Sequence, residues 1–173
     1  MLFALSTLWF LPAAWLLPLW LGARGHLLAV FGVVSALLQC IALLRWPLLV
    51  PLMAEAFVSG DPLQQALAEH GFRLSNQYLG VGIGEFLGQL TLVIWTAGVA
   101  RLLWTHGKAA RALTLMGAAT LPLWLLGFSE LAHTLFPHVA VIETTPIAFM
   151  LWEVWLLLLA LWLFTRRSAH ASL

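Results

Sequence analysis

Tyr78–Trp104, YLGVGIGEFLGQLTLVIWTAGVARLLW, is the stretch that decides how this chain folds. At ~1.5 Å per helical residue it is long enough to cross the ~30 Å of hydrocarbon in a bilayer. Its first half nevertheless carries two features that lipid would not select. Gly80, Gly84 and Gly88 recur every four residues and so stack on one side of a helix. Small residues at that spacing let a neighbouring backbone approach, which is how helices pack where no hydrophobic force drives them together. Roughly a quarter-turn away, Tyr78, Gly82, Glu85 and Gln89 form a polar stripe, because residues three or four apart share a face. A carboxylate on that stripe sits inside the hydrocarbon layer. The helix is therefore expected to face protein on two sides and to be central to a bundle.

The rest of the chain sets the same environment. Of its 173 residues, 62% are hydrophobic and 9% charged, with a mean hydropathy of +0.97, whereas soluble domains carry about 25% charged residues. A soluble surface is excluded. The net charge of +1 gives no basis for a nucleic-acid partner. Cys40 is the only cysteine, so an internal disulfide, a cysteine-based zinc site and dithiol chemistry are all excluded.

Outward from the central stretch, the apolar runs and their breakers predict five spans, at about residues 1–22, 27–44, 77–104, 112–136 and 147–165. The first lacks the basic n-region of a secretory signal and is expected to be a retained helix bent by Pro12 and Pro18. Pro47 interrupts the second. The long connection after it contains a capped helix at about 62–70, with Asp61 as cap, Pro62 in the first turn, Gln64 at the capping-box position and Gly71 as stop. Its apolar face of Leu63, Ala66 and Leu67 suits a helix lying on the membrane surface, although an ordinary loop helix has the same pattern. The ten tryptophans are expected mostly at interfaces or facing lipid. Arg24, Arg101, Lys108, Arg111, Arg166 and Arg167 fall on one side, Arg45 and Arg73 on the other. That bias predicts a cytoplasmic C-terminus and an outside N-terminus.

Counting depth from the long connections, Glu85, Glu130 and Glu153 lie ~10–13 Å below one membrane face, and His133 shares a side of its helix with Glu130. Ionisable groups at that depth cost roughly 2.5–3.5 kcal/mol each on the gentlest insertion scale. Three explanations fit. The layer is structural, its carboxyls hydrogen-bonded to Gln89, Thr134 or backbone and one paired with Arg45. It is instead a ligand site, in which Glu130-x-x-His133 repeats the spacing of di-iron helix bundles and a divalent metal, or a small organic ligand, is held with Glu85, Gln89 and Glu153 nearby. Ion or proton passage is the third, disfavoured for a monomer because the opposite half of the membrane holds only minor polar residues. Gly80–Gly84 follows no strand and is not a nucleotide loop.

Tyr78-Leu79-Gly80, Gly84-Glu85-Phe86-Leu87-Gly88 and Trp95 together resemble the signature region of a bacterial family of uncharacterised multi-pass membrane proteins, known as a domain of unknown function. The resemblance covers about residues 72–104 and implies an inner-membrane helical bundle with Gly84, Glu85 and Gly88 as motif positions. Such proteins usually have about six helices and are longer, which would make this chain a compact version. The resemblance brings no activity, cofactor or catalytic residue.

The expectation is an all-α, five-span bundle in a bacterial cytoplasmic membrane, with span three central. Its Glu/His layer in the outer leaflet would bind a small ligand or ion, or receive a partner protein or second copy. The alternative is a membrane enzyme using Glu130 and His133 as metal ligands or as an acid–base pair, assisted by Glu85 and Glu153.

Overall fold

Where water cannot satisfy the backbone, a chain of long apolar runs must hydrogen-bond to itself. The protein accordingly is almost entirely helical, with no strand among the described residues. A computed structural model describes residues 5, 7–22 and 25–171, without the side chains of 167–171. The start of the expected first span, Arg24 and the Arg167 side chain lie outside the described part.

After a short 3₁₀ turn at Thr7–Trp9 come helices α1 (Phe10–Leu21), α2 (Gly25–Leu48), α3 (Val50–Val58) and α4 (Pro62–Ser75). A π-helical segment, Asn76–Gly88, leads into α5 (Gln89–Leu103). Helices α6 (Lys108–Gly127), α7 (Ser129–Leu135) and α8 (Thr145–Ala171) complete the chain. Four continuous helical runs are long and apolar enough to cross a membrane: Gly25–Val58, Pro62–Leu103, Lys108–Leu135 and Thr145–Arg166. The first expected span is present as a shorter apolar helix, whose 12 residues in α1 rise ~18 Å.

Two of the crossing helices are longer than a bilayer needs. The 34 residues of Gly25–Val58 and the 42 of Pro62–Leu103 would measure ~51 and ~63 Å if straight. Their surplus is the antiparallel hairpin of α3 and α4. Gly60, at φ 80°, makes the turn, and Asp61 caps α4 by accepting from the Leu63 N–H at 3.1 Å. Helix α4 does not stop at Gly71, because that residue packs beside the Met53 side chain of α3 and stays helical. The interruption expected at Pro47 is slight: α2 ends at Leu48 and α3 begins at Val50, but the Leu49 N–H still bonds the Arg45 carbonyl at 2.9 Å, so the two run on as one.

Span three is central. Its segments pack against α1, α2 and α6, and its Thr96 accepts from the indole of Trp152 on α8 at 2.9 Å. Most tryptophans are exposed or partly so, as expected, but four enter the core. Trp95, Trp124, Trp152 and Trp155 are buried inside the bundle. An indole N–H in hydrocarbon has no partner, so a mid-span tryptophan gains by turning inward to a carbonyl or hydroxyl. Trp95 donates to the Ala14 carbonyl at 3.1 Å and Trp155 to the Leu113 carbonyl at 2.8 Å. Trp20, Trp46 and Trp104, nearer span ends, stay about half exposed, as interfacial residues do.

Candidate functional site

The site is assembled by the glycines. A Cβ added to Gly84 would fall 2.7 Å from the Ala42 Cβ, and one on Gly88 would fall 3.0 Å from the Gln39 Cγ. Ser35 Oγ donates to the Gly88 carbonyl at 2.8 Å. Ser35, Gln39 and Ala42 lie on one face of α2, so the glycine strip packs within the chain, against that face. One turn further along, the position of a Gly80 Cβ lies 2.4 Å from Nη1 of Arg45. The absent side chain is what admits the guanidinium between the two helices.

Helix α7 brings in the second acid. Gly127 meets Thr145, its would-be Cβ 2.5 Å from the Thr145 Oγ1, and the chain turns at Phe128 before α7 begins. The Phe86 and Phe128 rings meet edge to face at 5.8 Å, and Gln77 donates to Thr134 Oγ1 at 2.9 Å. These contacts lay α7 along the π segment. Glu85 and Glu130 are thereby brought together, with Arg45 close enough to interact with both charges.

Arg45 is not consumed by the acids. Its Nη2 donates to Asn76 Oδ1 at 3.1 Å, while its buried Nε has no partner. Among the described residues the ion pair within 4.0 Å is Arg73–Glu69, on the exposed surface of α4, and neither Glu85 nor Glu130 forms one with Arg45. With all three groups ionised the cluster carries one excess negative charge. Two carboxylates cannot hydrogen-bond to each other without a proton between them, so the arrangement calls for a proton or another cation.

The other sequence candidates go elsewhere. Gln89 is 2% exposed, donates weakly to Thr145 Oγ1 at 3.4 Å and leaves its Oε1 unpartnered. Tyr78, expected on the same stripe, is 68% exposed. The π segment explains the split, because i→i+5 pairing changes the angular step on which the stripe was counted. Glu153 is exposed on α8, between Met150 and Val154, which are exposed too. His133 is also exposed; its Nδ1 lies 2.7 Å from the Val139 carbonyl, and Ser129 Oγ accepts from the Ile142 N–H at 2.8 Å. Those two residues pin the 137–144 connection onto α7. No group of three His, Cys, Asp or Glu side chains able to hold a metal occurs among the described residues. Asn76 was missed in the sequence, where it reads as a loop polar residue; nothing local marks it as a partner for an arginine 31 residues earlier.

The sequence model of a family described as a domain of unknown function (DUF4386) matches residues 1–166. No curated protein and no solved structure matches the chain.

Proposed function

The chain belongs to the family described as a domain of unknown function (DUF4386), and from that premise we propose that it is a non-enzymatic multi-pass membrane protein whose Arg45–Glu85–Glu130 cluster binds a small cation or cationic ligand. The observation that carries this is the pair of carboxyl groups side by side within the bundle, with a guanidinium in ion-pair contact with neither. When both carboxyls are ionised the cluster keeps one negative charge, which is costly at membrane depth, and a cation neutralises it where Arg45 alone does not. By the basic-residue bias this cluster belongs to the outer leaflet of a bacterial cytoplasmic membrane, with the C-terminus inside. His133 acts in this proposal by ordering the 137–144 connection above the cluster. The enzyme alternative has less support, since Glu130 and His133 turn to different partners and Glu153 stands apart.

Thermal unfolding of the purified chain in detergent, titrated with Na⁺, Mg²⁺, Mn²⁺ and guanidinium, tests the proposal. A ligand at about a hundred times its Kd stabilises by ~2.7 kcal/mol, so at least one of these should raise the midpoint. The Glu85→Gln/Glu130→Gln double variant should abolish the rise. If none of the four moves the midpoint, the pair is a structural layer. A rise that survives the double variant puts the cation elsewhere.

Glu153 favours a second role, contact with another helix. An exposed carboxylate among the exposed Met150, Val154 and Leu157 is expensive against lipid and cheaper against a polar group of a second copy or a partner. Glu153→Cys in a Cys40→Ala background should crosslink under oxidation if that occupant is a second copy. A chain that stays monomeric at every protein-to-lipid ratio would exclude it.

A further inference from the structure

Helices α1 and α8 run side by side without closing on each other. They leave a groove of about 910 Å³ lined chiefly by aliphatic side chains of the two helices. Ala13 and Ala160 keep it wide, and Leu16, Leu17, Leu156 and Leu163 form walls. Its extent along the membrane normal is informative. Phe10, at the start of α1, packs on Trp95 and Trp152, with ring centroids 4.9 and 5.0 Å away. Trp20, at its end, lies 6.3 Å from both Trp162 and His106. The groove therefore follows α8 from Leu156 to Arg166, a rise of ~15 Å, half of the ~30 Å hydrocarbon thickness. That is the depth of one leaflet.

At the surface end the chemistry changes. Arg166 lines the groove there, its guanidinium 4.8 Å over the Trp162 ring and its Nη2 donating to the His106 carbonyl at 2.7 Å. A guanidinium has five N–H donors in a fixed fork, so one carbonyl holds it in place and leaves donors for a bidentate phosphate. Trp20 and Trp162 flank it at the level where aromatic residues meet headgroups.

We infer that this groove is a selective site for an anionic phospholipid of that leaflet, one acyl chain lying between α1 and α8 and the phosphate on Arg166. Its volume lies within the range of small-ligand sites, and an aliphatic slot of one-leaflet depth ending at a held guanidinium complements that ligand in shape and charge.

Native mass spectrometry of the delipidated chain, titrated with phosphatidylglycerol and with phosphatidylcholine of the same acyl composition, tests the assignment. One phosphatidylglycerol per chain should be retained at about fivefold lower concentration than phosphatidylcholine, the preference expected of one arginine at the headgroup. Arg166→Gln should bring the two lipids level, and Arg166→Lys should keep most of the preference. Ala160→Trp, which fills the groove from an exposed position, should remove that retained lipid altogether, with circular dichroism confirming that each variant stays helical. Equal retention of the two lipids by the parent, a preference that survives Arg166→Gln, or unchanged binding by a helical Ala160→Trp protein would each overturn it.

Discussion

The indole N–H of Trp95 donates to the carbonyl of Ala14 across 3.1 Å, and that carbonyl is the one that Pro18 deprives of a partner. Pro18 lies inside α1 and has no N–H to return to the residue four positions earlier. An orphaned carbonyl within hydrocarbon is costly. Trp95 satisfies it from span three, so a bend in one helix becomes a bond between two.

Trp95→Phe should therefore cost ~1–3 kcal/mol, the range for stranding a buried polar group. In a Pro18→Ala background α1 can complete its own bond, and the same substitution should cost at least ~0.5 kcal/mol less. Unfolding midpoints of the four proteins in one detergent give this coupling; additive effects would mean that the proline-freed carbonyl is not what Trp95 serves.

Trp124 offers the contrast. It is buried and packed edge-on to Phe149 at 4.5 Å, but its Nε1 has no partner. Trp124→Phe removes an unsatisfied donor together with some packing, and should change stability by under ~1 kcal/mol because the two effects oppose each other. A loss as large as that of Trp95→Phe would reveal a hidden acceptor.

Gly84 and Gly82 should behave differently although they are two residues apart. A methyl group on Gly84 would sit 2.7 Å from the Ala42 Cβ, whereas on Gly82 it would meet only the Gln77 carbonyl at 3.6 Å. Gly84→Ala is expected to destabilise by ~1–3 kcal/mol through overpacking. Gly82→Ala should be neutral or stabilising by up to ~1 kcal/mol, since it removes a mid-helix glycine. Thermal midpoints decide it, and equal effects would mean that the glycine strip does not pack on α2.

The carboxyl pair makes a prediction about coupling. Glu85→Gln and Glu130→Gln should be non-additive by at least ~0.5 kcal/mol in a double-mutant cycle. Glu85→Gln with Glu153→Gln should add within ~0.5 kcal/mol, because Glu153 lies exposed on α8. Strong coupling to Glu153 would restore the three-carboxylate layer read from depth alone.

Single cysteines introduced in a Cys40→Ala background test the orientation. Ser59 and Lys108 are both exposed; Ser59 lies at the hairpin tip and Lys108 begins α6, next to the 104–107 connection, on opposite sides of the membrane in the proposed topology. An impermeant thiol reagent applied to intact cells should label Ser59→Cys and spare Lys108→Cys until the membrane is opened. The reverse pattern would invert the topology set by the basic-residue bias.

Composition and one-dimensional pattern were enough to determine the membrane helical bundle and the centrality of Tyr78–Trp104, because hydropathy and small-residue spacing are local properties that lipid reads directly. The proximity of Glu85 to Glu130 was half legible, since counting residues measures depth along a helix. Rotation about the helix axis is set by neighbours, and counting does not supply it. That is why Glu153, at similar depth, is exposed on α8, and why His133 turns to the Val139 carbonyl. The π segment altered the angular step on which the polar stripe was counted. Depth alone did not mark the buried tryptophans: Trp152, near the start of its span, is buried, whereas Trp15, deeper in the first, is 46% exposed. The Arg45–Asn76 bond and the groove ending at Arg166 had no signal in the sequence. Each depends on two distant segments meeting at one level and one rotation, which only packing in three dimensions decides.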